Sequence, residues 1–149
     1  ESLIKWFGEN IKITVMQLIN STLLNEVTKQ AQDSPRLRMN YNFHDSLDAK
    51  AQRLLNALEL GTILPIHRHP HTAETSLLLR GKIRVMFYSD EKEEIESTLL
   101  DPLAGNYGVH IPANQWHTLE VLEAGSVLFE VKDGPYTPLG ENDVLKLTQ

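Results

Sequence analysis

Three histidines and a glutamate fall within "HRHPHTAE", residues 67 to 74, in a chain that has six histidines in all. His67 and His69 lie two apart, so on an extended strand both imidazoles point to one face. Pro70 restricts His69 to the extended region and supports that strand. Two imidazoles side by side make half of a metal site. Glu74 follows after a short turn, at the head of "ETSLLLR", where it shares a face with Ser76 and Leu78 and can aim its carboxylate inward. The fourth candidate is His117 in "IPANQWHTLEV", because a turn at Pro112-Ala113-Asn114 puts it near the start of another strand. Three neutral imidazoles and one carboxylate suit one divalent transition metal ion, Zn, Fe, Mn, Ni or Cu, with geometry choosing among them. Affinity should fall as the histidines protonate, below roughly pH 6.5. The competing interpretation of the cluster is a polar turn that is merely rich in histidine. His71 is expected exposed in the turn, and His44 and His110, which have no spaced partner, are expected to be hydrogen-bonded.

Elements that would position these groups can be read from periodicity. A helix is expected over 21–33, capped by Asn20 or Ser21, with Leu23, Leu24, Val27 and Ala31 as a docking stripe and Pro35 beyond its end. After Pro35 the pattern becomes strand-like. In "RLRMNYNFH" Arg36, Arg38, Asn40 and Asn42 alternate with Leu37, Met39, Tyr41 and Phe43. "AQRLLNALELGTILPIHRH" supplies a strand or two, and "ETSLLLRGKIRVMFYSD" two strands about Arg80-Gly81. "NYGVHIPANQWHTLEVL" and "SVLFEVKDG" add further short strands, while "EKEEIES" reads as a solvated hairpin turn. Many short strands with Gly and Pro turns indicate an all-β sandwich or barrel with an N-terminal helix packed on it.

Composition bounds the function. At 149 residues, with 41% hydrophobic and 23% charged residues, the chain fits one globular domain. A net charge of −6 and the lack of any basic run argue against nucleic acid as a partner. The absence of cysteine removes disulfide scaffolds, thiolate metal sites and cysteine nucleophiles, and is compatible with a cytoplasmic setting. No stretch has the length and apolarity of a membrane span. The chain begins without methionine while Met16 stands before the helix, so residues 1–15 are read as an N-terminal extension of uncertain status and 16–149 as a single domain.

The residues around the histidines match a family pattern. Gly61, His67, His69, Glu74 and Gly81 have the spacing of the first cupin motif. Gly105, Pro112, Asn114 and His117 approximate the second, with Asn114 in place of a turn glycine, Gly105 one residue further from the proline than is common, and Val121 where an asparagine is usual. Over about residues 17 to 138 the segments "SPRLRMNYNFHDS", "QRLLNALELGT", "PHTAETSLLLRG", "NYGVHIPANQWHTL" and "VLFEVKDGPYTP" resemble the WbuC family of cupin-fold metalloproteins, associated with bacterial O-antigen and surface-polysaccharide gene clusters. The resemblance implies a double-stranded β-helix, a jelly-roll barrel, with a metal held inside by His67, His69, Glu74 and His117, and a homodimer paired through an edge strand.

Three functions follow as expectations. The first is a metal-dependent enzyme acting on a small molecule in the barrel lumen, which the resemblance suggests is a sugar or sugar nucleotide. Lumen candidates are Arg38, Asn40, Asn42, Tyr107 and Lys132, with Arg38 or Lys132 meeting a phosphate or carboxylate and Tyr107 serving as a general acid. The second is non-catalytic capture of a small ligand, and the third a structural metalloprotein.

Overall fold

In a computed structural model, residues 15–145 are described in full, together with the strand backbones of β1 (Leu3–Trp6) and β2 (Glu9–Lys12). The interpretation of residues 1–15 as an extension therefore lies almost wholly outside the described residues. β1 and β2 pair with each other as a separate hairpin.

Helix α1 spans Ser21–Asp33, the bounds expected from the sequence. Asn20 caps it, its side-chain oxygen accepting from the Leu23 N–H at 3.1 Å, and Ser34 ends it in an extended conformation ahead of Pro35. The strands that follow are β3 (Arg38–Asn42), β4 (Ala51–Leu58), β5 (Ile66–His67), β6 (Glu74–Arg80), β7 (Ile83–Tyr88) and β8 (Glu94–Leu100). Then come β9 (Gly108–Ile111), β10 (Trp116–Val121), β11 (Ser126–Asp133) and β12 (Val144–Leu145). They form two five-stranded antiparallel sheets, ordered β3-β4-β11-β6-β9 and β12-β5-β10-β7-β8.

The central part of the first sheet is covered on both faces. Leu58, Leu78 and Leu128 meet Ile83, Val85, Leu100 and Val121 of the second sheet in the interior. On the outer face Leu55, Ala57 and Val127 pack under Leu24, Val27 and Ala31 of α1, flanked by Met39, Tyr41 and Phe43. Arg80 pins the helix to the sheet, donating to Asn25 Oδ1 at 2.6 Å, Thr28 Oγ1 at 2.9 Å and the Gly125 carbonyl at 2.9 Å. The alternation in 36–43 thus separates two jobs: Met39, Tyr41 and Phe43 dock the helix, and Arg38 and Asn40 face the interior.

One element differs from the sequence expectation. The turn after β7 is confined to Ser89–Glu93, and Glu94–Ser97, expected within the turn, begin β8 instead. Every residue from Glu94 to Leu99 is exposed, so the strand shows no alternation of apolar and polar residues. As a charged edge strand it is solvated and resists pairing with another sheet edge.

The β6–β7 turn depends on Gly81, whose φ of 102° is strained for any other residue. A Cβ there would stand 2.6 Å from Ser126 Cα, while Ser126 Oγ accepts from the Lys82 N–H at 3.2 Å and donates to the Glu123 carbonyl at 2.7 Å. Gly105 also has positive φ, 86°, but nothing lies within 4 Å of a Cβ built on it. Gly81→Ala is expected to lower unfolding free energy by more than about 2 kcal/mol and Gly105→Ala by about 1 kcal/mol, measured by urea denaturation. Equal losses would remove the steric role of Ser126.

Candidate metal centre

β5 is two residues long and lies between β10 and β12. Its pairing with β10 sets His67 directly opposite His117, and β12 covers its other edge with Val144 opposite His67. Arg68 locks that arrangement. Its backbone N–H donates to the Asp143 carbonyl at 3.0 Å, its Nε pairs with Asp143 Oδ1 at 3.2 Å, and its guanidinium stacks 4.3 Å above the Trp116 ring. His69 stands past the end of β5, not on it as the two-residue spacing implied. It is held from the other side, where the Asn114 N–H donates to the His69 carbonyl at 2.8 Å. Asn114 has a φ of 68°, the left-handed conformation for which asparagine is the next choice after glycine. Glu74 opens β6 and is buried, between Ile111 on β9 and Lys132 on β11.

The three imidazoles converge, with ring centroids 4.3 Å apart for His67 and His117, 5.2 Å for His67 and His69 and 6.1 Å for His69 and His117. One ligand nitrogen of each lies within 4.8 Å of the others, so the three can hold a metal ion. The donor chemistry fits one. His67 Nδ1 lies 2.9 Å from the Pro65 carbonyl and His117 Nδ1 2.9 Å from the Gln115 carbonyl. A carbonyl only accepts, so each Nδ1 carries the proton and each Nε2 keeps its lone pair. Glu74 lies beside them, with Oε1 2.6 Å from His69 Nε2 and Oε2 4.0 Å from His117 Nε2.

Burial, followed by the charge of His117, lowers the His67 pKa to about 4, and burial lowers that of His117. Burial alone would raise Glu74, but the hydrogen bond and charge of His69, with the charges of His117 and Lys132, bring it down to about 2. Near neutral pH His67 and His117 are therefore neutral and Glu74 is ionised, as a divalent ion requires of its ligands.

Beside these groups lies a cavity of about 220 Å³. Arg38, Asn40 and Lys132 line it, as expected from the sequence. Tyr107 and Asn42 do not. Tyr107 precedes the first residue of β9, ahead of that strand's inward–outward alternation, and is 61% exposed outside the cavity lining. Asn42 ends β3 and is exposed. His71 is exposed in the turn, His110 Nδ1 lies 2.9 Å from Thr75 Oγ1, and the buried His44 accepts from the Arg53 N–H at 3.1 Å.

Glu130 is not among the residues expected at the site. It lines the cavity and accepts from Asn56 Nδ2 at 3.3 Å. Burial and the charge of Glu74 raise its pKa to about 7, against the opposing effects of Asn56 and Lys132. Period-two alternation in "SVLFEVKD" would have found it, since Glu130 shares a face with Lys132.

Solved structures resemble this architecture. One is CapF, the capsular polysaccharide assembling protein of Staphylococcus aureus, with a TM-score of 0.58 and 20% identity over 70% of this chain and 30% of CapF. KdgF of Halomonas sp. aligns with a TM-score of 0.54 and 15% identity over 70% of this chain and 84% of KdgF. A cupin 2 domain-containing protein of Halorhodospira halophila gives 0.51 and 15% over 64% and 63% of the respective chains. The chain thus spans about 30% of the length of CapF, and at these identities the likeness is one of fold. Two antiparallel sheets around an inward-facing histidine cluster define a cupin-fold protein. The chain belongs to the family described as "Domain of unknown function (DUF6016)", whose model matches residues 19–100, more than half of its length. No curated protein matches it in sequence. Among the described residues, no helix is long and apolar enough to cross a membrane.

The Glu130 shift has a sign that can be checked. A carboxyl held protonated in the fold costs stability as pH rises from its ordinary value of 4.5 through about 7. Glu130→Gln keeps an acceptor for Asn56 and removes that cost. In chelator-treated protein it should be more stable than the parent at pH 8, by on the order of 1–3 kcal/mol, with the gain disappearing by about pH 4.5. Urea unfolding midpoints at the two pH values test this, and a gain independent of pH would contradict the raised pKa.

Proposed function

We propose that this protein is a metal-dependent enzyme acting on a small molecule in the cavity, with one divalent transition metal ion held by His67, His69, Glu74 and His117. The observation that carries the proposal is the convergence of the three imidazoles, two of them fixed by backbone carbonyls with Nε2 free. Bound there, such an ion supplies Lewis-acid polarisation of a substrate oxygen.

The chain's own residues do the rest. His69 and Glu74, now 2.6 Å apart, would hold the ion once their shared proton was released to solvent. Glu130, with a pKa near the working pH, donates or accepts a proton at a substrate atom inside the cavity. Lys132, directly across the sheet from Glu74, offers a cation for a developing negative charge. Tyr107 has no part in this reading. The apolar wall around Val85, Leu100 and Leu119 excludes water.

A carbohydrate-related substrate is supported by the resemblance to the WbuC family and by the capsular polysaccharide role printed for CapF. Non-catalytic capture of the same molecule is the alternative that a failed turnover assay with metal-loaded protein would favour.

Elemental analysis of tag-free protein is expected to find about one equivalent of a transition metal, with at least about tenfold less retained by His69→Ala and His117→Ala. Full occupancy in His117→Ala would remove it from the ligand set, and a metal-free parent that takes up none of the five candidate ions would overturn the proposal.

A further inference from the structure

The chain carries a net charge of −6, yet the opening of its cavity is lined by cations. Arg36 precedes the edge strand β3 and Arg38 begins it. Arg36 is exposed and Arg38 partly buried, so they stand at the mouth. The Arg38 guanidinium donates only to neutral oxygens, the Ile63 carbonyl at 3.0 Å and Thr62 Oγ1 at 3.5 Å. Neither arginine forms an ion pair among the described residues. Burial and the adjacent charge of Arg36 both disfavour the charged form of Arg38. Two like charges held together without a carboxylate between them leave an unmet demand for an anion, and guanidinium forks meet carboxylate or phosphate bidentately.

Behind the arginines the first sheet presents polar groups toward the histidines. Asn40 pairs with Asn56 across the β3–β4 ladder, and Glu130 and Lys132 follow on β11. The facing wall is apolar, formed by Val85, Leu100 and Leu119. One polar and one apolar wall suit a ring with hydroxyls on its edge and a hydrocarbon face.

We infer that the cavity binds a small polyhydroxylated anion, a sugar acid or a sugar phosphate, with its negative group on Arg36 and Arg38 and its hydroxylated end toward the histidines. The volume of about 220 Å³ admits a single monosaccharide-sized unit. The inference deepens the proposed function, on which the role of the histidine end rests, while recognition of the anion depends on the arginines alone.

Isothermal titration with glucuronate, glucose 6-phosphate and uncharged glucose, on metal-loaded and chelator-treated protein, tests it. At least one anion should bind about tenfold or more tightly than glucose, and which one it is separates a sugar acid from a sugar phosphate. Arg36→Ala, an exposed site with no side-chain bond to lose, should weaken that anion by about fivefold, and Arg36→Ala with Arg38→Ala by more than about tenfold. Arg38→Lys, which keeps the charge without the fork, should lose less than Arg38→Ala. Equal binding of all three probes, no binding of either anion at millimolar concentration, or anion affinity unchanged in the double variant would overturn the inference. Arginine-dependent anion binding in a protein that takes up no metal would overturn the proposed function and leave this inference standing. Stoichiometric metal with no preference for anions would do the reverse.

Discussion

The whole site depends on the register in which a two-residue strand meets its neighbour. β5 and β10 share one Cα pair, His67 with His117. A slip of one residue would turn one imidazole to the opposite face. So short a strand cannot hold its register by its own ladder. It is held from outside, by β12 on its free edge, by Arg68 on Asp143 and Trp116, and by the Thr118 hydroxyl donating to the Leu64 carbonyl at 2.8 Å. The segment around Asp143, 75 residues from the Arg68 it holds, is therefore part of the site's architecture.

β4 and β11 are buried on both faces, by α1 outside and by the second sheet within. Their central position keeps Glu130 and Lys132 at fixed heights along the cavity, and Lys132 opposite Glu74. The edge strand β3 is packed on one face only, so its interior side is free to carry Arg38 and Asn40 at the mouth.

Much of this was legible in the sequence, for physical reasons that differ by element. α1 could be placed to the residue because its cap, its apolar stripe and its terminating proline are all local signals. The four proposed ligand residues could be named from spacing and family likeness, although the strand expected under both His67 and His69 stops at His67. β8 was hidden because a charged edge strand exposed along most of its length has no alternation to read. Tyr107, expected in the lumen, lies one residue ahead of β9 and is exposed, a placement that no local signal in the sequence marks. Glu130 was passed over although it obeys the same alternation as Lys132. Nothing local signals that a glutamate will be buried beside another carboxylate, since that depends on strands 74 and 130 meeting in space.

That meeting is what divides the two carboxyl groups into different roles. Both lie near Lys132, and the charge of Glu74 bears on the ionisation of Glu130. Glu74 has imidazoles as immediate neighbours, which stabilise its charge and hold it ionised with a pKa of about 2. Glu130 has only the Asn56 amide as a direct partner, and the ionised Glu74 nearby raises its pKa to about 7. Two like groups at one site cannot both be cheaply ionised, so the one with the stronger partners takes the charge and the other keeps its proton. The consequence is a fixed anion suited to ligating a cation and, deeper along the same wall, an acid that can exchange its proton near neutral pH. Neither property belongs to glutamate as a residue type. Each is set by which strand happens to lie across from it.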